Sequence, residues 1–168
     1  LALSDCRLDD LTLLNCLADA LADPEKTVRV DAALALSRAG VPEAAALLRL
    51  KALSGDAQAE VVGQCLASLL ALSPRDGVPF AVRFLKSKDD ELRMEAAAAL
   101  AQSRESAALD ALKLFSRERL PADLRRALFT FLAASPQREA AEFLFSLGTA
   151  EALEALKSSR YRDEFQSR

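Results

Sequence analysis

The sequence predicts an all-α fold, a right-handed α-α superhelix of about five helix pairs. Three observations carry that expectation. First, residues 28–36 (VRVDAALAL), 61–69 (VVGQCLASL), 92–100 (LRMEAAAAL) and 124–132 (LRRALFTFL) nearly repeat one another at intervals of about 32 residues. A period of that size marks stacked arrays rather than one closed core. Second, apolar residues fall at the first, fifth, sixth and ninth places of each copy, which is one face of a helix. Val61, Cys65, Leu66 and Leu69 are the set in the second copy. Third, strand signals are missing: β-branched residues are scarce and no apolar/polar alternation is sustained.

Each element follows from that register. Between the repeated stretches, here called the second helices, lie first helices at about 8–22, 42–53, 78–86, 106–115 and 137–147. Leu14, Leu17 and Leu21, or Ala81, Phe84 and Leu85, give them apolar faces at helical spacing. Gly40-Val41-Pro42 and Gly77-Val78-Pro79 each read as the close of one repeat and the start of the next, since glycine ends helices and proline suits a first turn. Ser73-Pro74 and Ser135-Pro136 mark further breaks. Asp23, Asp56 and Asp89-Asp90 precede second helices, where a side-chain oxygen can cap them. The fourth turn departs from this, with Arg119-Leu120-Pro121. Residues 149–159 read as a short, more polar last helix suited to a terminal cap. The chain thus divides into one domain, 1–168, with repeats at about 8–40, 41–73, 74–104, 105–135 and 136–159 and a tail at 160–168.

One helix pair cannot bury both its apolar faces, so stacked neighbours complete the core. Small alanines let the second helices approach closely. All 8 phenylalanines lie at or beyond position 80, which gives the C-terminal half the bulkier core.

Composition narrows the function. The net charge of −3 disfavours a nucleic-acid binder working through a basic face. The 3 cysteines include no CxxC pair: Cys65 sits on a core position, Cys16 falls within a leucine-rich run expected to pack, and Cys6 is the candidate exposed thiol. Unpaired thiols suit a reducing compartment, so a cytoplasmic location is expected. No apolar run is long enough to span a membrane. With 0 histidines the commonest general base and metal ligand is missing, and no phosphate loop, zinc pattern or nucleophile elbow occurs. The expectation is a non-enzyme without metal or cofactor.

At Asp23, Pro24, Val28, Arg29, Ala32, Ala33 and Leu36 the chain carries the string D-P-x-x-x-V-R-x-x-A-A-x-x-L. Leu92, Arg93, Ala96, Ala97 and Leu100 repeat its second part, Leu124 and Arg125 do so more weakly, and Val62 replaces the arginine in the second copy. On these residues the chain resembles the HEAT-repeat superfamily, especially short bacterial-type members related to phycobilin-lyase repeats, over about 8–159. The resemblance implies a solenoid whose second helices line a concave groove, and arginines Arg29, Arg93 and Arg125 that bridge neighbouring repeats. The HEAT-like hydroxylases need His-Glu iron ligands that this chain lacks. The HEAT-like DNA glycosylases use groove aromatics and basic residues, which zero tryptophans and the net negative charge do not favour.

Asp31, Glu60, Gln64, Glu91 and Glu95 fall in two rows on the second helices and are the candidate groove site. The competing reading is that first-turn carboxylates merely complement helix dipoles, which fits Glu60 and Glu91 but not Asp31 or Glu95. Phe131 stands where the other copies have Ala35, Ser68 and Ala99; it is either covered by the terminal helix pair or an anchor for a partner. Arg49, Arg83 and Lys113 read as a solvated outer face. The expected function is a non-catalytic scaffold or adaptor that binds a protein or peptide, with a basic one favoured by the acidic rows. Help in bilin attachment, or a place within a longer solenoid, are the alternatives. Oligomeric state is not legible.

Overall fold

The computed structural model describes residues 10–166 of the 168. Eleven α-helices are found among them, with no strand. They are α1 (Asp10–Ala20), α2 (Lys26–Ala39), α3 (Pro42–Ser54), α4 (Ala59–Leu72), α5 (Pro74–Val82), α6 (Asp90–Gln102), α7 (Ser106–Phe115), α8 (Ala122–Ala134), α9 (Arg138–Leu147), α10 (Ala150–Leu156) and the short α11 (Asp163–Gln166). The second helices α2, α4, α6, α8 and α10 pack side by side in chain order. The first helices lie against them: α3 on α2 and α4, α5 on α4 and α6, and α9 on α8 and α10. This is an all-α repeat solenoid. Among the described residues no helix is long and apolar enough to cross a membrane.

The core is one continuous apolar cluster running from Leu14 to Phe165. Leu36, Leu69, Leu100 and Leu132, the ninth places of the four copies, are all buried. Each such leucine contributes roughly 1.5–3 kcal/mol by leaving water. Val28 departs from this pattern at 37% exposed, although its counterparts Val61 and Leu124 are buried. Among the described residues, those two sit in helices with a second helix on either side, and α2 has one on one side, α4.

The turns repeat one device. A side-chain oxygen accepts a hydrogen bond from the backbone N–H two residues on: Asp23 from Glu25, Asp56 from Gln58, Ser103 from Glu105, Ser135 from Gln137 and Ser159 from Tyr161. Such local bonds turn the chain and satisfy groups that no helix can. Asp23 and Asp56 therefore act two residues ahead of the capping positions, Glu25 and Gln58. Asp89 caps α6 directly, accepting from Glu91 N–H, and Thr149 caps α10, accepting from Ala152 N–H.

Gly40 closes α2 with φ +69°, a left-handed conformation that glycine adopts without steric cost, and Pro42 opens α3. The similar string Gly77-Val78-Pro79 behaves differently. Helix α5 begins earlier, at Pro74, so Gly77 is buried inside it and Pro79 lies within the helix. Pro74 suits the first turn, where no amide hydrogen is needed. Beyond Val82 the chain tightens into a 3-10 turn at Arg83–Lys86.

Part of the stretch expected to be a tail, Asp163–Gln166, also folds. Helix α11 brings Phe165 into the core, with its ring 5.3 Å from that of Phe145. Two thiol expectations are settled differently. Cys65 is buried, and burial pushes its thiol up to about 12. Cys16, expected to pack, is exposed on α1. Cys6 lies outside the described residues.

Candidate functional site

Arginines at the second place of three second helices hold the frame on which the site is built. Arg29 on α2 grips Asp56, in the turn before α4, through two hydrogen bonds of 2.8 Å each. Its remaining nitrogen donates to the carbonyls of Asp23 and Pro24 at 2.8 and 2.9 Å. Lys51 adds an ion pair to Asp56 at 2.8 Å. Burial alone would raise the Asp56 carboxyl, but bonds from Arg29, Lys51 and the Gln58 amide outweigh it and hold the group well below the usual range.

Arg93 on α6 lies over the Phe115 ring at 5.0 Å, donates to Asp90 and faces Glu118 at 3.6 Å. Arg125 on α8 binds both oxygens of Glu151 on α10, at 2.8 and 3.0 Å. Val62, in the copy without the arginine, is buried among apolar residues.

On the second helices the candidate carboxylates divide. Glu60 and Glu91 are exposed in the first turns of α4 and α6, and Glu60 pairs with Lys26 of α2. Glu95, one turn further along α6, is half-buried and lies across Gly63 of α4. A Cβ at Gly63 would sit 2.2 Å from Glu95 Oε2 and 2.8 Å from its Cβ, so only glycine leaves room for this side chain. Burial, and then the charges of Glu60 and Glu91, raise the Glu95 carboxyl above its usual value. Two carboxylates thus bear on a third at the α4–α6 joint. Asp31 is exposed on α2, and Gln64 is half-buried with its amide donating to Ser68 Oγ at 3.1 Å.

Phe131 is half-buried and packs on the core. The outer-face cations are not simply solvated. Arg49 lies 5.2 Å from the centre of the Phe80 ring and donates to the Asp76 carbonyl, Arg83 lies 5.6 Å from the same ring, and Lys113 lies 6.0 Å from that of Phe143. Each ring sits one repeat after Arg49 or Lys113, so these cations join neighbours.

Sequence reasoning missed two fasteners. Gln137 donates to the carbonyls of Ser103 and Glu105 at 2.8 and 3.2 Å, and the Tyr161 hydroxyl donates to the Pro136 carbonyl at 2.9 Å. Neither residue type recurs at matching places in the other copies, so the repeat register carries no signal for them.

A family model for HEAT repeats matches residues 48–133, just over half of the chain. No curated protein matches. Among solved structures the chain is similar to a crystal structure of an engineered protein, at 20% identity and a TM-score of 0.48, covering 90% of this chain and 79% of that one. With the family match spanning the turns and helices described above, from α3 to α8, the chain belongs to the HEAT-repeat family.

Proposed function

We propose that this HEAT-repeat chain is a non-catalytic scaffold that binds a protein or peptide through the face built by its second helices, and that the partner is basic. HEAT repeats generally mediate protein–protein interaction, which supports the broader part of the reading. The observation that carries the finer part is the Glu60–Glu91–Glu95 group at the α4–α6 joint. Glu60 and Glu91 can be explained as complements to helix N-termini. Glu95 cannot: it lies past the first turn, gives up part of its hydration, and has two carboxylates for neighbours. A lysine or arginine arriving from a partner relieves that repulsion, and the field of the group speeds its approach.

The test is affinity capture with the intact chain and with a Glu60→Gln/Glu91→Gln/Glu95→Gln variant, the retained proteins identified by mass spectrometry. The reading expects a partner held by the intact chain, lost from the variant, and released by moderate salt. Retention of the same proteins by both chains at all salt concentrations contradicts it.

A further inference from the structure

Between the C-terminal halves of α4 and α6 the second-helix face opens into a cleft of about 280 Å³. Leu70 and Ala99 are buried at its floor, Ala67, Ala71 and Pro74 form its sides, and Arg104 stands exposed at its edge. An apolar cavity of about 150 Å³ already holds benzene, so the cleft is large enough for one aromatic ring.

The repeat register explains why the space is open. Ala67 aligns with Leu34 in the preceding second helix, and Ala99 aligns with Phe131 in the following one. Leu34 and Phe131 are both half-buried. The joints before and after therefore each have a large apolar side chain in this register, and the α4–α6 joint has two alanines. A second pattern says what fits. Four guanidiniums, of Arg49, Arg83, Arg93 and Arg138, lie within 5.0–5.9 Å of phenylalanine ring centres. Arg104 has no ion pair or ring partner among the described residues, and it borders an apolar cleft.

We propose that this cleft seats one aromatic side chain of the bound partner, with the Arg104 guanidinium lying over its ring. The proposal rests on the reading that the second-helix face is the binding face. It adds a specificity element to it: the partner carries an aromatic residue set to reach past Ala67 and Ala99 while its basic residues meet Glu60, Glu91 and Glu95. An apolar ring gains from leaving water, and a cation over its face adds to that gain.

The experiment follows backbone amide chemical shifts of the full chain during titration with N-acetyl-phenylalanine amide, and with the cyclohexylalanine analogue as a non-aromatic probe of similar shape. Saturable shifts at Ala67, Ala71, Ala99, Gln102 and Arg104 are expected, with the aromatic probe the tighter. Ala99→Phe should weaken it at least tenfold by filling the cleft. Ala67→Leu tests the same point from the other wall if the first variant folds poorly. Arg104→Gln should weaken the aromatic probe and leave the cyclohexyl one unchanged. Absence of saturable shifts there, indifference to both filling variants, or equal effects of Arg104→Gln on both probes would overturn the proposal. The Glu60→Gln/Glu91→Gln/Glu95→Gln variant should bind the probe normally. A failed cleft thus leaves the acidic face to be judged by its own salt dependence, and a failed acidic face leaves the cleft intact.

Discussion

Arg29 and Asp56 are 27 residues apart in sequence and joined by two hydrogen bonds of 2.8 Å, one to each carboxylate oxygen. Their side chains retain only 11% and 4% of their exposure. A planar guanidinium matched to a carboxylate in this way fixes the angle between the first two repeats as well as their contact. Removing the charge leaves Arg29 facing a poorer acceptor in a place that water barely reaches. Asp56→Asn should lower stability by on the order of 3 kcal/mol, read as a shift in urea midpoint.

The same carboxylate makes stability depend on acid. Its pKa is depressed in the folded chain, so its contribution is complete above the unfolded value of about 4 and is lost as pH falls through the folded value. Urea midpoints measured from pH 6 downward should fall below about pH 4. Asp56→Asn should flatten part of that fall. An unchanged slope in the variant would show that other carboxylates carry the acid response.

Glu95 has the opposite sign. Its folded pKa is raised, so ionisation costs the folded state more than the unfolded one. Glu95→Gln should raise the urea midpoint at pH 7. The gain should shrink as pH falls through the folded pKa and vanish below the ordinary glutamate value of about 4.3. A variant less stable than the parent at pH 7 would mean that the carboxylate already has a compensating partner.

Gly63 is held to glycine by contact rather than by backbone angle. In an exposed helix, Gly→Ala stabilises by about 1 kcal/mol. Here the new methyl would press on Glu95, so Gly63→Ala should instead lower the urea midpoint. A higher midpoint would show that the Glu95 side chain swings aside without cost.

Leu100 is fully buried between neighbouring helices. Leu100→Ala should cost about 2–5 kcal/mol through lost burial and a residual cavity. A loss below about 0.5 kcal/mol would contradict the repeat register, because Leu36, Leu69 and Leu132 occupy the same place.

Much of this frame was legible because it is periodic. Apolar spacing and alanine content mark the second helices, and the register singles out Leu100 and Leu69 as buried. What escaped depends on context that one repeat cannot contain. Gly77-Val78-Pro79 resembles Gly40-Val41-Pro42, yet Ser73-Pro74 had already begun the helix. Val28 reads like Val61, yet it stays partly exposed. The pairing of Glu95 with Gly63 joins two helices 32 positions apart, and a glycine departing from the pattern gives no hint of which side chain fills its space. Of the candidates, Glu60 and Glu91 come to bear on Glu95, while Gln64 turns to Ser68 on its own helix.

The central claim is that the carboxylates of the α4–α6 joint bind a basic partner. Its most direct test is the calorimetric dissociation constant of the captured partner, measured at low and high salt for the parent chain and for Glu60→Gln/Glu91→Gln/Glu95→Gln. The account predicts affinity that weakens with salt in the parent, is lower in the variant, and varies much less with salt there, with unchanged helical dichroism in both. Equal dissociation constants for the two chains at both salt concentrations would contradict it.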